Sequence, residues 1–393
     1  MKRLFLFTSC IFVGLTGWAQ VRCHIEGVLN DMTKGTEIVI SRAGDDLRVK
    51  DNAIHIQANN GRFEYDLEGS QMDMYTVFLL NEYLQGRWNY GSFLLEDGAK
   101  VNINYDGTGF NIHSDGQEML KYQQMALEED SLFGEPLRKL HGLIKAQFEL
   151  SWDAGQNLGE NEDIKRLMQE EKAMTDSLEH EGFFKRHQQW REEYMASHPI
   201  PYTLFYIGDK LAFTNEQGQD QLLSLYHQHY EDILPGHPVH QSIAMKEVVI
   251  RLKPGNPFIN LQARTADGNI VDVSSLYQGK VTLICLWASW CSPCRRHNKA
   301  LIPVYEAYRD KGFTIIGIAH EKTLDSMIKA AEKDGYPWQN FVDLKDELHV
   351  FEKCGLSYSG GGMFLIDKDG TILSTSFDAN ELEPLIRKAL TLE

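Results

Sequence analysis

The sequence has few cysteines. There are six in 393 residues: Cys10, Cys23, Cys285, Cys291, Cys294 and Cys354. It has no second C-x-x-C, and Arg295 rather than histidine follows Cys294. A disulfide scaffold needs many pairable cysteines, structural zinc needs four ligands at workable spacing, and haem attachment needs C-x-x-C-H. The scaffold and haem readings therefore fall away, and zinc is left with scattered candidates such as His297, Cys285 and Cys354 to complete the pair Cys291 and Cys294. Positive charge is scarce as well. Lys and Arg number 39 against 56 Asp and Glu, a net charge of −17, and a surface of that sign repels nucleic-acid phosphates. Beyond the N-terminus no run reaches the roughly 18 uncharged apolar residues a membrane span requires, so none is expected in the mature chain. No internal repeat or low-complexity tract is present.

The N-terminus has the pattern of an export signal. Lys2 and Arg3 precede an almost unbroken apolar stretch from Leu4 to Leu15, and Gly17 and Ala19 supply small residues for cleavage before Gln20. Residues 1–19 are thus expected to be a signal peptide, and the mature protein to be periplasmic or in the cell envelope. Cleavage would remove Cys10 and leave five cysteines, an odd number.

Residues 20–112 read as a β-sandwich-like domain of antiparallel strands. Short alternating stretches such as Glu37-Ile38-Val39-Ile40 and Lys100-Val101-Asn102-Ile103 lie between turn signals such as Asn59-Asn60-Gly61 and Glu96-Asp97-Gly98. No nucleophile stands beside a base there. Residues 113–250 read as a helical linker domain, rich in Glu, Lys, Gln, Leu and Met. Leu120, Met125 and Leu127, then Leu137, Leu140 and Ile144, recur at helical spacing, with breaks at Gly155 to Asn161 and at His198-Pro199-Ile200-Pro201. Lys253-Pro254-Gly255-Asn256-Pro257 forces extended backbone and opens a third region, 254–393. Strands and helices alternate in it: a hairpin from Leu261 to Val273, a strand Val281 to Trp287, a helix from Cys291 to about Tyr308, a strand Phe313 to Ile318, a helix around 323–334, strands Met363 to Ile366 and Ile372 to Ser376, and a last helix from about 380. That alternation implies a central sheet with helices on both faces.

Cys291 falls where a buried strand ends and a helix begins. Unpaired N–H groups and the positive end of the helix favour its thiolate, the attacking species in disulfide exchange. Arg295 and Arg296 in the next turn push the same way. Cys294, one turn further on, is placed to resolve a mixed disulfide on Cys291. Pro293 at the helix start has no N–H to lose. No cofactor and no metal are called for.

The run Leu286-Trp287-Ala288-Ser289-Trp290-Cys291-Ser292-Pro293-Cys294, led by Ser274-Ser275-Leu276-Tyr277-Gln278-Gly279-Lys280 and followed by Phe364-Leu365-Ile366-Asp367-Lys368-Asp369-Gly370, resembles the TlpA/ResA-like branch of the thioredoxin superfamily. The resemblance covers residues from about 254 to 393. It implies a thioredoxin fold and an exported dithiol enzyme, commonly a reductant of protein disulfides, with protein thiols and disulfides and a membrane thiol reductase as partners. Trp287 and Trp290 belong to the family pattern. Residues 21 to about 110 are similar to a small β domain often fused ahead of such domains in exported bacterial proteins.

Three positions depart from the family. Its cis-proline is replaced within Ser359-Gly360-Gly361-Gly362, with Gly361 best aligned and Gly360 the other choice; this is either a tolerated change or an altered substrate groove. The buried Glu three residues after the second cysteine is His297, which either handles the resolving proton or packs. Cys285 stands where thioredoxins place a buried Asp, and reads as a small buried hydrophobe rather than a third redox thiol. The expectation is a protein-disulfide oxidoreductase acting through Cys291 and Cys294, with Trp290, Pro293, His297 and Gly361 supporting. The alternative is a non-catalytic thioredoxin-fold interaction protein. Peroxide reduction is disfavoured, since the Pro-x-x-x-Thr-x-x-Cys pattern of peroxiredoxins is absent before Cys291.

Overall fold

The computed structural model describes residues 20–30, 36–45, 47, 49–87, 89–107, 109–154, 161–356 and 361–391. The leader, Cys10, the break at 155–160 and the pair Ser359-Gly360 lie outside the described residues. The chain forms two compact units: one runs to Lys210 and takes in Ser224–Pro235, the other holds Leu211–Leu223 and everything from Gly236 onward.

The first unit begins with eight strands: β1 (Val21–Leu29), β2 (Glu37–Arg42), β3 (Ala53–Gln57), β4 (Arg62–Gly69), β5 (Asp73–Leu79), β6 (Tyr90–Leu95), β7 (Lys100–Tyr105) and β8 (Phe110–Ser114), with the short helix α1 (Leu80–Leu84) before β6. They make two four-stranded sheets, ordered β4-β1-β7-β8 and β3-β2-β5-β6. Strict alternation in β7, with Val101, Ile103 and Tyr105 buried, shows one face turned to the core. The expected antiparallel pattern holds with one exception: β1 and β7 run parallel. Those strands are far apart in sequence, so no hairpin constrains their direction. His24 and His55 lie at the surface against Asp66 and Glu37.

Helix α2 (Gln117–Ala154) follows. Its first N–H groups need acceptors, and the buried Glu96 carboxylate takes those of Glu118 and Met119, both at 2.8 Å. Met125 and Leu140 of the expected apolar stripe are buried, whereas Leu120, Leu127 and Ile144 are exposed, so only part of the stripe is core. Then come α3 (Glu162–His180), α4 (Phe183–Ser197) and α5 (Pro201–Lys210), the last two separated at the His-Pro-Ile-Pro break. Helix α6 (Glu216–His229) follows.

The second unit contains α7 (Pro238–Arg251), the hairpin β9 (Gln262–Arg264) and β10 (Ile270–Asp272), α8 (Ser274–Tyr277), β11 (Val281–Trp287), α9 (Ser292–Tyr308), β12 (Phe313–Glu321), α10 (Leu324–Asp334), β13 (Gln339–Leu344), α11 (Val350–Lys353), β14 (Gly362–Ile366), β15 (Ile372–Ser374) and α12 (Ala379–Ala389). Seven strands form one sheet in the order β10-β9-β13-β12-β11-β14-β15. β11, buried at every position, lies between parallel β12 and antiparallel β14. Apolar clusters cover both faces: Ile284, Leu286, Ile316, Ile318 and Phe364 on one, Leu283, Cys285, Ile315, Leu365 and Ile386 on the other. Strand β13 and helix α11 are absent from the sequence reading.

Candidate functional site

The chain leaves the buried strand β11 through Ala288-Ser289-Trp290 and enters α9 at Cys291, its N-cap. Cys291 Sγ accepts the N–H of Cys294 at 3.3 Å, as a helix-capping oxygen would. The two cysteines form a disulfide with Cα atoms 5.4 Å apart. Both are nearly buried, 8% and 7% exposed, in a cluster with Trp287, Ala288, Ala319, Met327, Ala330 and Val342. Pro293 is exposed in the first turn. Trp290, next to Cys291, is 64% exposed, although apolar bulk of that size normally goes inside. Trp287 is fully buried edge-on to Tyr336, ring centres 5.3 Å apart.

Gly361, just before β14, closes the site. A Cβ there would lie 2.2 Å from the Leu286 carbonyl oxygen and 2.9 Å from Cys294 Sγ, so the backbone itself packs against that sulfur. Among the described residues no peptide bond is cis. His297 is half-buried, with its ring 5.6 Å from that of Phe377.

Arg295 has a different role from the one its place in the sequence suggests. Its guanidinium grips the Asp334 carboxylate at the end of α10, at 2.5 and 2.9 Å, and donates to the Ser289 carbonyl at 3.1 Å. Lys299 and the Tyr336 hydroxyl bind the same carboxylate at 2.8 and 3.2 Å. The Arg295 bonds, with those of Lys299, hold that carboxyl well below the usual range despite its burial. The charge of Arg295 is therefore largely matched by Asp334 rather than left for Cys291. Glu321, at the end of β12, accepts from the N–H of Ser289 and, at 2.9 Å, from its Oγ. Sequence reasoning missed both acids. Glu321 ends an apolar strand, and the carboxyl ends of parallel strands are where α/β sheets place their sites, a signal that could have found it.

The three remaining cysteines in the described residues are buried free thiols. Burial pushes Cys285 far above the ordinary thiol range, and Cys23 and Cys354 up to about 12. At neutral pH none offers a thiolate.

Residues 254–375 match the AhpC/TSA family. The C-terminal domain is thioredoxin-like. This thioredoxin-like domain is similar to the thiol-disulfide oxidoreductase ResA of Geobacillus kaustophilus, 29% identical over 97 residues, which cover 24% of this chain and 53% of ResA. The chain thus spans about half the length of that relative. It is also similar to DipZ of Mycobacterium bovis, 31% identical over 128 residues, 30% of this chain and 18% of DipZ. Among solved structures, the thioredoxin domain of a thiol-disulfide oxidoreductase from Bacteroides vulgatus is 27% identical and aligns over 35% of this chain and 97% of its own, with a TM-score of 0.32. No helix among the described residues is long and apolar enough to cross a membrane.

Proposed function

We propose that this chain is an exported thiol–disulfide oxidoreductase that reduces protein disulfides through Cys291 and Cys294, in the periplasm or cell envelope. The observation that carries the reading is the disulfide between Cys291 and Cys294 at the N-terminus of α9, flanked by the exposed Trp290. In the reduced protein the helix N-terminus favours the Cys291 thiolate. That thiolate attacks one sulfur of a substrate disulfide, forming a mixed disulfide and expelling the other substrate sulfur as a thiolate, which takes up a proton. Cys294 then gives up its proton and attacks Cys291 Sγ. The mixed disulfide breaks, the second substrate sulfur leaves as a thiol, and the pair becomes the disulfide seen here. Two electrons have passed to the substrate. A membrane thiol reductase would restore the dithiol. In this reading residues 1–19 are the leader, 20–112 the β domain, 113–250 the helical linker and 254–393 the reacting domain.

Changing Cys294 to Ser should leave mixed disulfides trapped on Cys291 in periplasmic extracts, while the wild-type pair reduces insulin and equilibrates with glutathione. Failure of all three removes the enzyme reading and leaves the interaction-protein alternative.

A further inference from the structure

Glu321 is 4% exposed and has no cation paired with it among the described residues. Removing an ionised carboxylate from water is costly unless hydrogen bonds or a counter-charge compensate. Among the described residues its carboxylate is compensated by Ser289, whose backbone N–H and side-chain Oγ both donate to it. The carbonyl of Ser289 accepts from Arg295, itself held by Asp334. Every polar group of Ser289 is thus engaged by a charged side chain, and Ser289 stands two residues before Cys291. Two residues span at most about 7 Å, which places the Glu321 charge on the order of 10 Å from the Cys291 sulfur.

We infer that Glu321 is a positioning residue for the pair: through Ser289 it fixes the loop that presents Cys291, and its negative charge keeps the pair more reducing. The inference rests on the thiol–disulfide reading and concerns what tunes it. Only the reduced pair can carry a thiolate, so a negative charge nearby disfavours the reduced form relative to the neutral disulfide. Glu321 opposes the helix N-terminus, which alone would make the pair more oxidising. Charged groups on the surrounding elements include Arg295, Arg296 and Lys299 on α9, Lys322 beside Glu321, and Asp325, Lys329 and Asp334 on α10, where Lys329 pairs with Asp325. Arg295 and Lys299 are both paired with Asp334.

The test uses the full chain with Glu321→Gln, which keeps the shape and removes the charge. Thiolate ultraviolet absorbance of the reduced protein should show Cys291 titrating about one pH unit lower, the size expected for a unit charge at that distance in a partly screened site. The equilibrium with glutathione should shift toward the reduced pair by up to about tenfold, or 30 mV for a two-electron couple. Ser289→Ala, which removes one hydrogen bond and keeps the charge, should leave the titration within about a few tenths of a unit. An unchanged titration in a folded Glu321→Gln protein overturns the charge role. Equal shifts in both variants overturn it too, because a loosened loop would then explain them. Should Glu321→Gln not fold, Glu321→Asp withdraws the charge by one methylene and should lower the titration by a smaller amount; no movement there is equally fatal. The thiolate titration needs no substrate, so it decides the role of Glu321 even if the wild-type pair proves unable to reduce any disulfide.

Discussion

At Gly361 a side chain has nowhere to go. The added Cβ would meet a backbone carbonyl at 2.2 Å and a sulfur of the pair at 2.9 Å, and neither the strand β11 nor the disulfide can step aside as a flexible side chain would. Gly361→Ala should therefore destabilise the oxidised protein by about 1–3 kcal/mol, the usual cost of overpacking. Urea unfolding checks this, and an alanine variant as stable as the parent would show that the contact is looser than described. The same geometry favours glycine over any larger residue at this position, because its backbone lies directly against Cys294 Sγ. The run of glycines was legible in the sequence; this close approach was not, because it depends on how tightly two segments of the fold pack.

Helix α10 is tied to the first turn of α9 by one buried group. The side chain of Asp334 is 1% exposed and binds Arg295, Lys299 and Tyr336. Asp334→Asn should cost about 2 kcal/mol at neutral pH, since charge-assisted bonds are lost while the cations are partly exposed and can be rehydrated. The carboxyl is held below its unfolded value, so its contribution is complete above about pH 4 and is lost as pH falls toward the depressed folded value. The stability gap between parent and variant, measured by urea unfolding, should shrink between about pH 4 and pH 2. A gap that is constant through that range would place the effect elsewhere. Elements with a single clear period were legible in the sequence: the apolar run of β11, the amphipathic α9 and α12, and the hairpin with Asp267-Gly268 at its turn. β13 was not, because Asp343 interrupts its apolar residues. That side chain is fully buried, and its carboxylate accepts the N–H groups of Leu348 and Val350 at 3.0 and 2.9 Å. Sequence patterning treats such an acid as surface; only tertiary hydrogen bonds make it core. Glu321 and Asp334 were overlooked for the same reason.

On the scale of the whole molecule, the proline-rich break at 254 separates sequence styles, but the second compact unit already holds residues from Gly236 onward. Leu252, just past α7, lies in the same buried cluster as Phe258, Leu261, Val350 and Phe351. Val249 packs so closely on Gly355 that a Cβ there would meet its Cγ1 at 2.6 Å. A fragment of residues 254–393 loses both contacts, and one of residues 236–393 keeps them. The shorter fragment should be less stable by on the order of 2–4 kcal/mol, about the burial of one leucine and part of a valine, read from the urea midpoints of the two. Equal midpoints would mean that α7 contributes nothing to this core. The chemistry should not follow the stability. Cys291, Cys294, Glu321, Asp334 and Gly361 all lie beyond residue 254, so under conditions where both fragments are folded their Cys291 titrations should coincide. A difference there would mean that α7 reaches the site through the sheet, and that the redox domain cannot be cut where the sequence changes style.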